Sequence, residues 1–135
     1  MFFDSPTSQP SPRIHLREPA TMPINEFPLP KGARPRRIAI GSDYMVWYTN
    51  YQRGYLGRLD PQTGKIAEWP TPGGRNAVPY GIATLKDGTI WYSESGVKPN
   101  TIIRFDPRTK RFSAWQVLRA AGRYANIVAT PDGNI

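Results

Sequence analysis

The 135-residue chain has no cysteine and a single histidine, His15. The first absence excludes disulfides and thiolate metal sites and leaves the compartment open. The second excludes a His-based metal cage, a Ser-His-Asp triad or a proton shuttle. No apolar run approaches the roughly 18 residues of a membrane span, so a soluble chain with no membrane partner is expected. The start, MFFDSPTSQPSPRIHLREPATMP, lacks the basic stretch and apolar stretch of a secretory signal, so export is not expected from it. Gly73 and Gly74 lie in a PTPGG turn with no helical pattern behind them, which excludes a phosphate-binding glycine loop. Acidic residues are also scarce, 10 against 18 basic ones for a net charge of +8. Only Lys31, Arg34, Arg36 and Arg37 cluster, which reads as a solvated loop and argues against a nucleic-acid face.

What is present is a repeat. PYGIATLKDGTIWYSESGVKPNTIIRFDP, from Pro79 to Pro107, has an earlier copy, PRRIAIGSDYMVWYTNYQRGYLGRLDP, that begins at Pro35. Ile82, Asp87 and Trp91 each stand 44 residues after Ile38, Asp43 and Trp47, and Asp106 stands 46 after Asp60. A third copy begins as NIVATPDGNI, with Asp132 placed 45 after Asp87. A period in the mid-forties, built of short β-branched and aromatic runs such as MVWY, IWYS and TIIRF, is that of a four-stranded propeller blade. Helical repeats of similar length are excluded by the Pro and Gly that punctuate every ten residues or so.

The predicted organisation is all-β. Residues 1–21, rich in Pro, form a tail expected to be disordered. Residues 22–135 form a partial propeller with one blade over 35–72, a second over 79–118 and the start of a third over 124–135. MPINEFPLP, residues 22–30, resembles IAEWPTP, residues 66–72, and is expected to be the outer strand of a preceding blade. Two complete blades with a flanking strand on each side result.

Several tempting residues have structural explanations. Asp60-Pro61-Gln62-Thr63-Gly64 and Asp106-Pro107-Arg108-Thr109-Lys110 are turns, with Pro presetting φ and Asp accepting from the backbone. Asp87-Gly88 and Asp132-Gly133 supply the positive-φ residue of a tight hairpin, whereas Asp43-Tyr44 predicts a strained or longer turn. Trp47, Trp69, Trp91 and Trp115 read as wedges between blades, with Trp47 and Trp91 buried beside Ile38, Ile82, Leu59 and Phe105.

The candidate site lies where strands feed the axial funnel. Glu94, ending WYSE, is either a solvated strand end or a carboxylate able to hold a cation or accept a hydrogen bond, and Asn50 is its equivalent in the first copy. Loops entering the inner strands bring Arg36 and Arg37, then Tyr80, then Arg123 and Asn126 to the same rim. A funnel of Arg and Tyr suits an anionic or carbonyl-rich small molecule or peptide.

The pattern P-x-x-I-A…D-G-x-I-W-Y-x-E…R-x-D-P-x-T-G…E-W-P, over residues 22–135, resembles the virginiamycin B lyase (streptogramin lyase) family. The resemblance implies a seven-bladed propeller, of which the remaining blades would be partners of these two. It also implies lyase chemistry in which Mg²⁺-assisted elimination opens a cyclic depsipeptide antibiotic, and so a link to antibiotic resistance. The family motif places a His after the Pro of P-H-G-I and a metal-binding Glu fourteen residues later. Glu94 matches that Glu and would be the metal ligand, but Tyr80 and Arg36 hold the His position and Asn50 the Glu position of the first copy. The family's acidic residue two before the His is replaced by Val78 and Arg34. Elimination needs a base for the α proton as well as Mg²⁺ for the enolate, and phenol and guanidinium are not bases near neutrality. The expectation is a lyase-like fragment without catalytic residues or turnover of its own. The alternatives are a non-enzymatic ligand- or protein-binding propeller and a lactonase-type metal hydrolase, which would need several Asp, Asn and Glu ligands on the axis.

Overall fold

The computed structural model describes residues 23–118 and 126–135. The expected tail, Arg123 and the first residues of the third copy lie outside the described residues. Eight strands form in chain order: β1 (Pro35–Ile40), β2 (Val46–Asn50), β3 (Tyr55–Leu59), β4 (Ile66–Pro70), β5 (Pro79–Thr84), β6 (Ile90–Glu94), β7 (Thr101–Asp106) and β8 (Arg111–Gln116). They make two four-stranded antiparallel sheets, β1-β2-β3-β4 and β5-β6-β7-β8, as the repeat requires. Among the described residues no helix is long and apolar enough to cross a membrane.

The hairpin turns repeat with the sequence. Gly41 N–H donates to Met45 O, Leu85 N–H to Thr89 O and Thr130 N–H to Asn134 O, each at 2.9 Å. Gly88 and Gly133 take φ of 84° and 90° there, and Tyr44 takes 62° in the first copy, where a side chain occupies a left-handed position. The strain anticipated for Asp43-Tyr44 is therefore present. Asp60 and Asp106 cap their turns by accepting from the backbone N–H of Gln62 at 2.8 Å and of Arg108 at 3.0 Å. Side-chain hydrogen bonds, from Thr63 to Asp60 and from Arg108 to Asp106, are the largest of the effects holding both carboxyls below the usual range.

Side chains alternate across each strand, so one sheet offers opposite faces to its two neighbours. Trp47 and Thr49 point at the second sheet, and Ile90, Tyr92 and Glu94 point back at the first. The seam between them is the core: Trp47, Leu56, Ile82, Ile90, Tyr92, Ile103 and Phe105, with Ala39, Met45, Trp69 and Phe112 packed against it. Thr49 Oγ1 donates to Tyr80 O and Thr84 Oγ1 to Ile40 O, both at 2.7 Å, tying the inner strands across the seam.

The structure corrects three expectations, the first two through this alternation. Ile38, on the face of β1 turned away from the second sheet, is 66% exposed, while its repeat equivalent Ile82 faces the seam and is 8% exposed. Trp91 points away from the seam and is only half-buried, stacked on Trp115 at 5.4 Å; Trp47, its equivalent, is fully buried. The flanking segments 23–30 and 126–135 carry no strand, because neither has a ladder partner among the described residues.

One glycine shapes the first blade. Tyr48, Gly57 and Glu68 stand in a row across β2, β3 and β4, and the missing side chain at Gly57 lets the Tyr48 ring lie over β3 so that its hydroxyl donates to Glu68 Oε1 at 2.9 Å. In the second blade Ile103 holds the place of Gly57, and Tyr92 is directed to the neighbouring blade instead. A Cβ on Gly57 would overlap the Tyr48 ring. Gly57→Ala is therefore expected to lower stability by about 1–3 kcal/mol, read as a shift of the urea midpoint at constant slope. An unchanged midpoint would show that Tyr48 does not need this groove.

Candidate functional site

The rim where β1 and β5 begin is built by two irregularities. Ladder pairing slips between Pro35 and Arg37 in β1 and between Pro79 and Ile82 in β5. A bulge breaks the strict alternation that would send neighbouring side chains to opposite faces. Arg36 and Arg37 consequently reach the same aromatic ring: their Cζ atoms lie 5.2 and 5.3 Å from the centroid of Tyr80. Arg36 Nε donates to Tyr80 Oη at 3.1 Å, and Arg37 Nε donates to Asn126 Oδ1 at 3.3 Å. Arg36 and Tyr80, repeat equivalents 44 positions apart, thus meet side by side.

Four of the residues expected at the rim, Arg36, Arg37, Tyr80 and Asn126, are brought together. Tyr51, which sequence reasoning passed over, sets its ring edge-on to Tyr80 at 6.3 Å. Its only signal was its place immediately after Asn50, at the end of an inner hairpin. Asn50 is a correction. It is fully buried, its Oδ1 accepting from Arg34 N–H at 3.1 Å and its Nδ2 donating to Glu68 Oε1 at 3.1 Å. Glu68 also accepts from Arg53 at 2.7 Å, so Asn50 belongs to a structural network and not to an open surface. Burial, followed by the hydrogen bond to Glu68, pushes the Tyr48 phenol far above its ordinary value.

Glu94 is not a solvated strand end either; it is 1% exposed. Its Oε1 accepts from the Thr71 hydroxyl at 2.5 Å and from Gly73 N–H at 2.8 Å, and its Oε2 accepts from the Thr101 hydroxyl at 2.6 Å. Thr71 has one hydroxyl proton, so having donated it to Glu94 it accepts from Tyr92, whose oxygen is 2.6 Å away. The relay Tyr92 to Thr71 to Glu94 spans the blade seam. Burial, the largest effect, with the charge of Glu94 adding to it, drives the Tyr92 phenol well above its ordinary value.

A Mg²⁺ ion, which the resemblance implies, prefers six oxygens in octahedral array, most of them water. Glu94 does not fit that role in this arrangement: both its oxygens are taken by protein donors. A Cβ on Gly73 would stand 2.7 Å from Oε2, so the backbone also closes over it. Among the described residues no three His, Cys, Asp or Glu side chains gather as a metal site would require. Tyr80, Arg36, Thr71 and Thr101 can bind and orient a ligand or hold a hydrogen bond; a group suited to remove a proton near neutrality is not among them.

Comparison with known proteins places this geometry. A structure described as streptogramin B lyase superposes with a TM-score of 0.72 at 29% identity, covering 81% of this chain and 35% of that one. A catalytically inactive His-to-Ala variant of virginiamycin B lyase from Staphylococcus aureus with quinupristin gives 0.66 at 28% identity, covering 76% of this chain and 33% of its own. The selenomethionine-substituted form of the Staphylococcus aureus enzyme gives 0.67 at 28%, with the same coverage. The chain spans about a third of the length of these structures. No match was found among curated proteins. The paired four-stranded sheets are the architecture of those propellers, and the family's sequence pattern runs from residue 8 to residue 135; the chain therefore belongs to the virginiamycin B lyase family.

Proposed function

We propose that this chain contributes two ligand-facing blades of a streptogramin-lyase-like funnel and does not itself carry out Mg²⁺-assisted elimination. The observation that carries the reading is the Arg36 to Tyr80 hydrogen bond of 3.1 Å. Both residues stand where the family motif has its histidine, and they are engaged with each other. The inactive relative, which lacks one histidine, was obtained with quinupristin, which supports separating binding of such a ligand from chemistry on it. In this chain Arg36, Arg37, Tyr80 and Asn126 would face the ligand, and Glu94 would support the rim from beneath.

The test is incubation of the chain with quinupristin and Mg²⁺, following ring opening by mass spectrometry beside Glu94→Gln. No ring-opened product is expected from either protein. Turnover by the parent that disappears in Glu94→Gln would overturn the proposal and restore Glu94 as a metal ligand.

A further inference from the structure

Charge is sorted along the strand direction. Every described aspartate, Asp43, Asp60, Asp87, Asp106 and Asp132, lies in or beside the turns at one end of the sheets. At the opposite end, where β1 and β5 begin, stand Arg34, Arg36, Arg37, Arg53 and Arg75; of the carboxylates that reach it, Glu94 is buried and Glu68 is paired with Arg53. The ion pairs of the described residues involve Arg53, Arg104 and Arg108. Arg36 and Arg37 have no carboxylate partner among the described residues, yet both guanidinium groups are held on one Tyr80 ring.

Two like charges held at one ring repel, and an anion that reaches both relieves the repulsion. Each Nε is already spent on a neutral acceptor, Tyr80 Oη or Asn126 Oδ1, which orients the planes and leaves the terminal nitrogens to form bidentate pairs. One of these, on Arg37, makes only a long 3.4 Å bond to Arg36 O. We infer that Arg36 and Arg37, stacked on Tyr80, form a seat for the oxyanion, carboxylate or phosphate, of a small ligand. The inference rests on the rim being ligand-facing and specifies which chemical group that rim takes.

The experiment is calorimetric titration of the chain with citrate and, separately, with inorganic phosphate at constant ionic strength. Saturable binding in the region of about 1 mM is expected. It should weaken at least about tenfold in Arg36→Gln/Arg37→Gln. Arg36→Lys/Arg37→Lys, which keeps the charge and loses the planar fork, should weaken it as well. Lys65→Gln/Lys86→Gln, which removes the same charge from the far end, should leave it unchanged. All these positions lie on the surface or close to it, and circular dichroism verifies the fold of each variant. The better of the two anions identifies the source as carboxylate or phosphate. Absence of saturable binding, equal loss in the far-end variant, or full affinity in the lysine variant overturns the seat. So does a DNA duplex that binds by bulk charge and is not displaced by citrate. Ring opening of quinupristin by a chain that still binds citrate would sink the proposed function alone, and a chain that does neither sinks the seat alone.

Discussion

Replacing Trp47 by alanine is expected to cost about 3–5 kcal/mol, and the same change at Trp91 about 0.5–1.5 kcal/mol, although the two residues occupy one position of the repeat. The difference comes from what covers them. Trp47 is fully buried, with Trp69 stacked 5.8 Å away, Phe105 at 5.9 Å and the Arg58 guanidinium 5.7 Å from its ring. Its removal opens a cavity at the centre of the only described blade seam. Its indole N–H has no hydrogen-bond partner among the described residues, because Met45 stands where the second blade has Thr89. Trp91 donates to Thr89 Oγ1 at 3.0 Å and stacks on Trp115, which is itself 49% exposed. Alanine there gives up one aromatic pair and a partly solvated hydrogen bond. Urea unfolding of both variants decides the matter. A Trp47→Ala chain unfolded in buffer beside a folded Trp91→Ala chain is the same result at its extreme. Equal costs would show that Trp91 is covered in solution.

The contrast between these tryptophans marks how far the sequence was legible. Repeat spacing, turn residues and β-branched runs revealed two successive four-stranded antiparallel sheets, because those signals are local. Asp87-Gly88 and Asp132-Gly133 predicted their own geometry for the same reason. Burial was not local. Ile38 and Ile82 are identical in pattern, and only the arrangement of the two sheets decides which one meets a neighbour. Periodicity could bring Arg36, Tyr80 and Asn126 to one rim, since equivalent positions on successive blades lie side by side around an axis. It could not reveal the slipped pairing in β1 and β5 that turns Arg36 and Arg37 to one ring. The pairing of Tyr48 with Glu68 depended on a glycine in the intervening strand, and nothing in a linear motif signals such a gap. Glu94 was the hardest, because its partners Thr71, Gly73 and Thr101 come from a loop of the preceding blade and from the adjacent strand.

Glu94→Leu is expected to lower stability by about 2–4 kcal/mol and Glu94→Gln by about 1 kcal/mol, in a ranking that a solvent-facing metal ligand would not produce. Leucine leaves three donors, the Thr71 and Thr101 hydroxyls and the Gly73 N–H, without their acceptor in a site where the parent side chain is 1% exposed. Glutamine keeps one oxygen for Thr71 and Gly73, and its amide can donate to Thr101, whose hydroxyl accepts as readily as it donates. The Tyr92 to Thr71 bond then survives in Glu94→Gln and is lost with the loop in Glu94→Leu. Thermal unfolding with and without Mg²⁺ supplies the independent readout. A ligand that binds the native chain raises its midpoint by mass action, so an unchanged midpoint in millimolar Mg²⁺ is the expected result for parent and variants alike. A midpoint that Mg²⁺ raises in the parent and not in Glu94→Gln would convert this carboxylate from a brace across the blade seam into a cation ligand.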